Sequence, residues 1–242
     1  MTATLDTTLA TEPAEVRPPR QRNRRGEGAR LRDEIIVGAT AVLERTGSED
    51  AVTLRAIARE VGIAAPSIAR HFKDQAEIID AVVAKEGEAL LQGIFEAAAS
   101  TAEPLERIYA MCRAYVDYGF KHPSRYGLVI GRRFLPVWDV EERVMEESGP
   151  VLSAGVDLVR DSVQACIDSG ASAATDAFLT TAVLWFALHG FVTVTQAITS
   201  VEWPEREVLL TACVERALQL TQPSSKPASG AKKPVRTRQH KA

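Results

Sequence analysis

Apolar residues recur along this chain at the three- and four-residue spacing of a helix face. Between Arg30 and Gly47 the positions Leu31, Ile35, Ala39, Val42 and Leu43 share one side. From Thr53 to Phe72 the pattern shortens into two small helices joined by a tight turn. Thr53 is placed to cap the first, its hydroxyl accepting a backbone N–H two or three residues on. Ile57, Ala58 and Val61 line that helix, and Gly62 stands where it must stop with a positive φ. Pro66 suits the first turn of the second helix, where its missing N–H costs nothing. Ile68 and Phe72 point back to the same small core, leaving Ser67, Arg70, His71 and Lys73 on or beside the outer face. A helix-turn-helix whose second helix has the size and polarity to enter a major groove fits this pattern. Taken alone, the stretch is also compatible with an ordinary helical hairpin.

Farther along, Asp74-Gln75-Ala76-Glu77 reads as a capping box opening a long helix to about Ser100, with Ile78, Val82, Leu90, Leu91, Ile94 and Phe95 apolar. Pro104 opens another to about Lys121, ended by His122-Pro123. A shorter helix runs from about Ser124 to Phe134, and Pro136-Val137-Trp138 breaks the pattern. Glu141 to Glu147 reads as a short acidic helix or loop, Gly149-Pro150 as a reset, and Val151 to Ser169 as a separate helix. Ala173 to Thr199 is apolar nearly all round, which predicts burial on more than one side. A last amphipathic helix starts at Pro204 and runs until Pro223. Two long helices at the end of the chain, one over-hydrophobic, imply a partner surface.

The combination T-hydrophobic-x-x-I-A from Thr53, G-hydrophobic-x-x-P-S-hydrophobic-x-x-H-F from Gly62, and the new helix at Asp74 resembles the TetR family of bacterial transcriptional regulators. The resemblance implies an all-α homodimer: an N-terminal three-helix helix-turn-helix domain followed by a larger helical ligand-binding and dimerisation domain. It implies that the last two helices pair across a two-fold axis and that the helix from Asp74 connects ligand state to the DNA-binding heads. The Leu184–Gly190 run resembles a Trp-x-x-x-His-Gly signature of one class of such C-terminal domains. Three positions depart from the family pattern. Ala64 replaces a capping Ser, Ala69 a phosphate-contacting Tyr and Gln75 a phosphate-contacting Lys, so the positioning contacts are thinned.

Charge sharpens where DNA could sit. The net charge of −3 hides a segregation: residues 1–32 carry seven arginines and four acids, and residues 223–242 carry six bases and no acid. Residues 33–222 hold 16 bases against 28 acids, a net charge near −12. A polyanion is therefore steered to the helix-turn-helix face and the ends. The division expected is a disordered basic arm over 1–29, a DNA-binding domain over 30–76 with its motif at about 52–72, a helical body over 77–222, and a disordered basic tail over 223–242. The arm is either an inert leader or a strand of arginines along the minor groove and phosphates; the tail has the same composition but lies at the far end of the chain.

Other chemistry finds little footing. No unbroken run reaches the roughly 18 apolar residues of a membrane span, and the first residues lack the pattern of a secretory signal. Cys112, Cys166 and Cys213 are far apart in apolar settings, the pattern of buried free thiols in a cytoplasmic protein. No metal-ligand spacing, nucleophile elbow or glycine-rich phosphate loop is present, so neither an enzyme nor a cofactor or metal is expected.

The reading is a dimeric repressor, released from a palindromic operator by a small-molecule effector that is largely apolar. Thr53 and Arg55 would hold phosphates, Ser67, Arg70 and His71 would face base edges and nearby phosphates, and Lys73 would hold the backbone. Tyr115, Tyr118, Tyr126, Phe134, Trp138, Trp185 and His189 are the candidate ligand contacts, each with packing in the core as its competing fate. An activator, a ligand-binding dimer without specific DNA reading, and a non-specific DNA-coating protein remain as alternatives.

Overall fold

The computed structural model describes residues 28–134 and 142–220, excepting the side chains of 132–134 and 142–153. Residues 1–27 of the expected basic arm, the basic tail and the Pro136-Val137-Trp138 break lie outside the described residues, and positions 28 and 29 of that arm already belong to the first helix. Helix α1 (Gly28–Thr46) turns Ile35, Ile36, Ala39, Val42 and Leu43 inward and stops at Gly47, whose φ is 66°. A single 3-10 turn (Glu49–Ala51) leads into α2 (Leu54–Val61). The Thr53 hydroxyl accepts the Ala56 N–H at 3.2 Å, as its sequence position predicts. Gly62 adopts φ 72°, and the Ile63 N–H reaches back to the Ala58 carbonyl at 2.9 Å, closing the end of α2.

The second helix of the motif, α3 (Ala65–Ile68), is shorter than expected and relaxes into a turn in which the His71 and Phe72 N–H groups both donate to the Ile68 carbonyl. Ala64 at its N-cap has no side chain to bond the first N–H groups. In α4 (Gln75–Ala99) the Asp74 carboxylate accepts the Glu77 N–H at 2.9 Å. Glu77 answers by accepting from the Lys73 N–H at 2.6 Å, one residue earlier than the usual reciprocal bond. At 25 residues, α4 is about 37 Å long.

The body contains α5 (Pro104–Lys121), α6 (Pro123–Phe134), α7 (Glu142–Asp168), α8 (Ala177–Ala197) and α9 (Arg206–Leu218). Helix α7 corrects the sequence expectation of two elements: it runs unbroken through Gly149-Pro150. A proline inside a helix forfeits one backbone bond and strains one turn, a local penalty that the remaining turns of a 27-residue helix can outweigh. Helix α8 starts at the Asp176 cap, whose carboxylate accepts the Leu179 N–H at 2.9 Å. It is long and apolar enough to cross a membrane by length and composition alone, although Thr and His interrupt its apolar run. Here it packs against α5, α7 and α9. Its composition predicts burial on more than one side, yet Phe178, Leu179, Val183, Phe186 and Val194 are exposed.

Buried apolar side chains form two clusters. One joins α1, α2, α3 and the first half of α4 through Ile57, Ile68, Phe72, Ile78 and Val82, with Leu128 of α6 completing it. The other joins the second half of α4 to α5 through α9. Helix α4 therefore serves both cores.

Candidate DNA-binding face and ligand cavity

The head offers a polar face built on a rigid backing. Ile57, Ile68 and Phe72 are at most 2 % exposed, while Thr53, Arg55, Arg70 and Lys73 are exposed and Ser67 and His71 half-buried. All six candidates thus stand outside the core. The Thr53 oxygen is already committed to the Ala56 N–H, which leaves its hydroxyl proton to donate to a phosphate oxygen. Contacts beyond the sequence pattern brace the motif. The Arg32 guanidinium lies 4.6 Å from the centre of the Phe72 ring, and Arg45 pairs with Glu60 at 2.8 Å, tying α1 to α2.

The body holds a cavity of about 370 Å³ that is partly open to solvent. Leu90, Leu91 and Ile94 of α4, Met111 and Cys112 of α5, Val129 and Ile130 of α6 and Leu184 and Leu188 of α8 give it an apolar wall. On α7, Gly155 comes so close to α4 that an added Cβ would meet Leu91 at 2.6 Å. Of the sequence candidates, Tyr115 and Trp185 line the space.

Tyr126 and His189 do not line it but stand behind Tyr115. The Tyr115 and Tyr126 hydroxyls share a hydrogen bond at 2.7 Å, and the Tyr126 hydroxyl lies 2.8 Å from His189 Nδ1. Trp185 stacks on His189 at an interplanar angle of 22°. Burial pushes the Tyr115 phenol up to about 12 and lowers the His189 pKa, so this chain of groups is uncharged at neutral pH. The Phe134 side chain and Trp138 lie outside the described residues.

Tyr118 belongs elsewhere. Its hydroxyl donates to the Glu86 backbone carbonyl at 3.2 Å and lies 3.1 Å from the Glu86 carboxylate, which is 4 % exposed. Arg125 of α6 bridges that carboxylate, at 3.2 Å, to Glu44 of α1, at 2.6 Å, and His122 Nδ1 stands 3.5 Å from Glu44. The bond from Arg125 holds the Glu44 carboxyl below its ordinary range. This cluster joins head to body, and Glu86 is next to Gly87 in the cavity wall.

Sequence reasoning missed the cluster and most of the aliphatic wall. A core leucine beside a void has the same spacing as one beside another leucine. Gly155, small in mid-helix, was the available signal.

A tri-helical head with an outward polar motif, carried on a helical body with an internal apolar cavity, defines a helix-turn-helix regulator of transcription. Residues 35–82 match the model of the bacterial regulatory proteins of the tetR family, and residues 108–219 match that of the tetracyclin repressor-like C-terminal domain. The chain belongs to the TetR family. It is 26 % identical over 161 residues to an uncharacterized HTH-type transcriptional regulator of Mycobacterium tuberculosis, covering 66 % of this chain and 68 % of the relative.

Among solved structures, a protein of unknown function from Rhodococcus sp. RHA1 superposes with TM-score 0.67 at 24 % identity, over 79 % of this chain and 96 % of that one. The fatty acid degradation regulator FadR from Bacillus halodurans gives TM-score 0.59 at 13 % identity, over 81 % and 97 %. The TetR family transcriptional regulator PfmR from Thermus thermophilus gives 0.57 at 14 %, over 78 % and 98 %. At these identities the likeness shows the fold.

Proposed function

We propose that this DNA-binding regulator is a dimeric repressor that leaves a palindromic operator when an apolar small molecule fills its cavity. One observation carries the reading. Helices α4 and α6 each contribute side chains both to the core of the head and to the wall of the cavity. A ligand that favours one arrangement of those helices changes the population of head positions, by as much as its affinity differs between the two states. Two half-sites must lie a fixed distance apart for a two-fold dimer to grip both, so a shift of the heads costs operator affinity.

At the DNA, Arg70 is the side chain to grip a guanine edge with two bonds, with Ser67 and His71 beside it. Thr53, Arg55 and Lys73 hold phosphates and fix the register. The arginines of residues 1–29 add phosphate or minor-groove contacts that offset Ala64, Ala69 and Gln75. The cavity's aliphatic wall favours a hydrocarbon-rich ligand, acyl or aromatic, with Tyr115, Thr181 and Trp185 supplying the few polar atoms of the lining.

Selection from a random duplex library at near-physiological salt, using the full-length chain, tests this. A palindromic motif is expected, degraded by Arg70→Ala and weakened without change of sequence by deletion of residues 1–29. Binding that is steeply salt-dependent but selects no motif would point to non-specific coating. Absence of binding would leave a ligand-binding dimer.

A further inference from the structure

Tyr115, Thr181 and Trp185 are the hydroxyl- and indole-bearing side chains of the cavity wall, and among the described residues no Asp, Glu, Lys, Arg or His lines it. An ionised group inside would be buried without a counter-charge. The mouth offers an anion nothing better. Its exposed lining, Val156, Phe178 and Phe186, is apolar. Next to Val156 on α7 the described charges are Asp157 and Asp161, with Arg160 already paired to both at 3.0 and 3.5 Å.

The donors of the wall are engaged as well. Thr181 gives its proton to the Ala177 carbonyl at 2.8 Å, and the Trp185 indole bonds the Tyr115 hydroxyl. What remains is the proton of Tyr115 itself, and its direction is decided behind the wall. The Tyr115 hydroxyl lies 2.7 Å from that of Tyr126, which lies 2.8 Å from Nδ1 of His189. Burial keeps His189 neutral at neutral pH, so its ring carries one proton, on either nitrogen.

With the proton on Nε2, Nδ1 accepts from Tyr126, Tyr126 accepts from Tyr115, and no O–H is left over for the cavity. With the proton on Nδ1 the chain reverses. The Nδ1–H then donates to Tyr126, Tyr126 donates to Tyr115, and the Tyr115 proton is left to bond a guest. A buried O–H without an acceptor is unfavourable, and this relay presents the donor only when an acceptor arrives. His189 is half-buried, so its proton can change nitrogen by way of water.

We propose that the effector is an uncharged molecule with one hydrogen-bond-accepting oxygen on a hydrocarbon frame, a ketone or ester, and that His189 turns the Tyr115 proton towards it. This rests on the ligand-responsive reading given above and narrows it: free carboxylic acids and amines, ionised at neutral pH, are rejected. His189 does not line the cavity. It is a positioning residue that acts through Tyr126.

The test titrates the full-length protein with three naphthalenes of nearly one size: 2-acetylnaphthalene, 2-ethylnaphthalene and 2-naphthoate. The ketone is expected to bind roughly a hundred-fold more tightly than the carboxylate, which finds no counter-charge. His189→Phe should weaken the ketone about five-fold, the worth of one hydrogen bond, and leave 2-ethylnaphthalene unchanged. His189→Asn, whose amide can stand in for Nδ1, should restore the ketone. In the parent, the nitrogen resonance of His189 Nδ1 should move from the unprotonated to the protonated range when the ketone binds, and stay in place when the hydrocarbon binds. A carboxylate bound as tightly as the ketone would overturn the proposal. So would an Nδ1 signal blind to the ketone, or equal losses for ketone and hydrocarbon in His189→Phe. Those three results leave a ligand site of other chemistry, whereas failure of all three compounds to bind the folded protein removes the small-molecule reading itself.

Discussion

In the head, Ile35, Val52, Ile57, Ile68 and Ile78 have no exposed surface and belong to one buried apolar cluster. In the body, side chains just as apolar, from α4 to α8, stop short of one another and leave about 370 Å³. The two cores share α4 and the same aliphatic vocabulary. They differ in whether neighbouring helices approach far enough to interdigitate. A filled core holds one arrangement because every shift costs contacts. A core with a hole can accept a guest. The head is built to keep its polar face in one geometry, and the body to exchange emptiness for a ligand.

The contrast can be broken most strongly at Ile57. Ile57→Ala should cost about 4 kcal/mol, because a fully buried side chain is lost from a core that cannot collapse. Denaturant melts should report it, together with loss of DNA binding.

Next in size is the junction. Arg125→Met leaves the Glu86 carboxylate, which is 4 % exposed, with the Tyr118 hydroxyl but without the Arg125 cation, and should cost about 3 kcal/mol. Arg125→Met combined with Glu86→Leu should recover most of that loss. If the double variant is no better than the single, the pair is not what holds α6 to α4.

A smaller effect compares the cores directly by adding the same volume to each. Ala58→Leu in the head should destabilise by about 2 kcal/mol through overpacking. Ala182→Leu, in the cavity wall, should be neutral or stabilising by up to about 1 kcal/mol while weakening ligand binding. Equal losses at both sites would show that the cavity closes up in solution.

The smallest effect is on pH. Burial lowers the His189 pKa, so the unfolded chain, titrating near 6.5, takes the proton first as pH falls. The stability tied to neutral His189 is present above about pH 6.5 and is lost as pH drops through the lower folded value. Melting temperature should fall across that window in the parent and stay flatter in His189→Phe. Glu44, whose pKa is also lowered, loses its contribution at more acid pH, below the ordinary value of 4.5.

What the sequence made legible follows from distance along the chain. The caps at Thr53 and Asp74 and the turn at Gly62 rest on bonds spanning three to five residues, so residue type at one position identifies its partner. The boundaries of α5 at Pro104 and Lys121 were readable for the same reason. The link from Glu44 through Arg125 to Glu86 joins three helices, and no local pattern places those side chains together. Helix α7 escapes a sequence reading because Gly-Pro is weighed locally, whereas a helix of 27 residues is held by many turns. Of the aromatic candidates, Tyr115 lines the cavity, while Tyr118, less than one helical turn further on, supports the junction.

Leu128 bears on how the chain is made. It is 7 % exposed and lies in the core of the head, yet it belongs to α6. As the chain leaves the ribosome, α1 to α3 emerge first, but the patch that Leu128 covers stays open until α6 has followed. Domains commonly fold as units during synthesis; here the earliest unit waits for a side chain delivered from well inside the next one. A fragment cut after α4 would carry the whole DNA-reading motif and still expose part of its own core, making it a poor stand-in for the intact regulator.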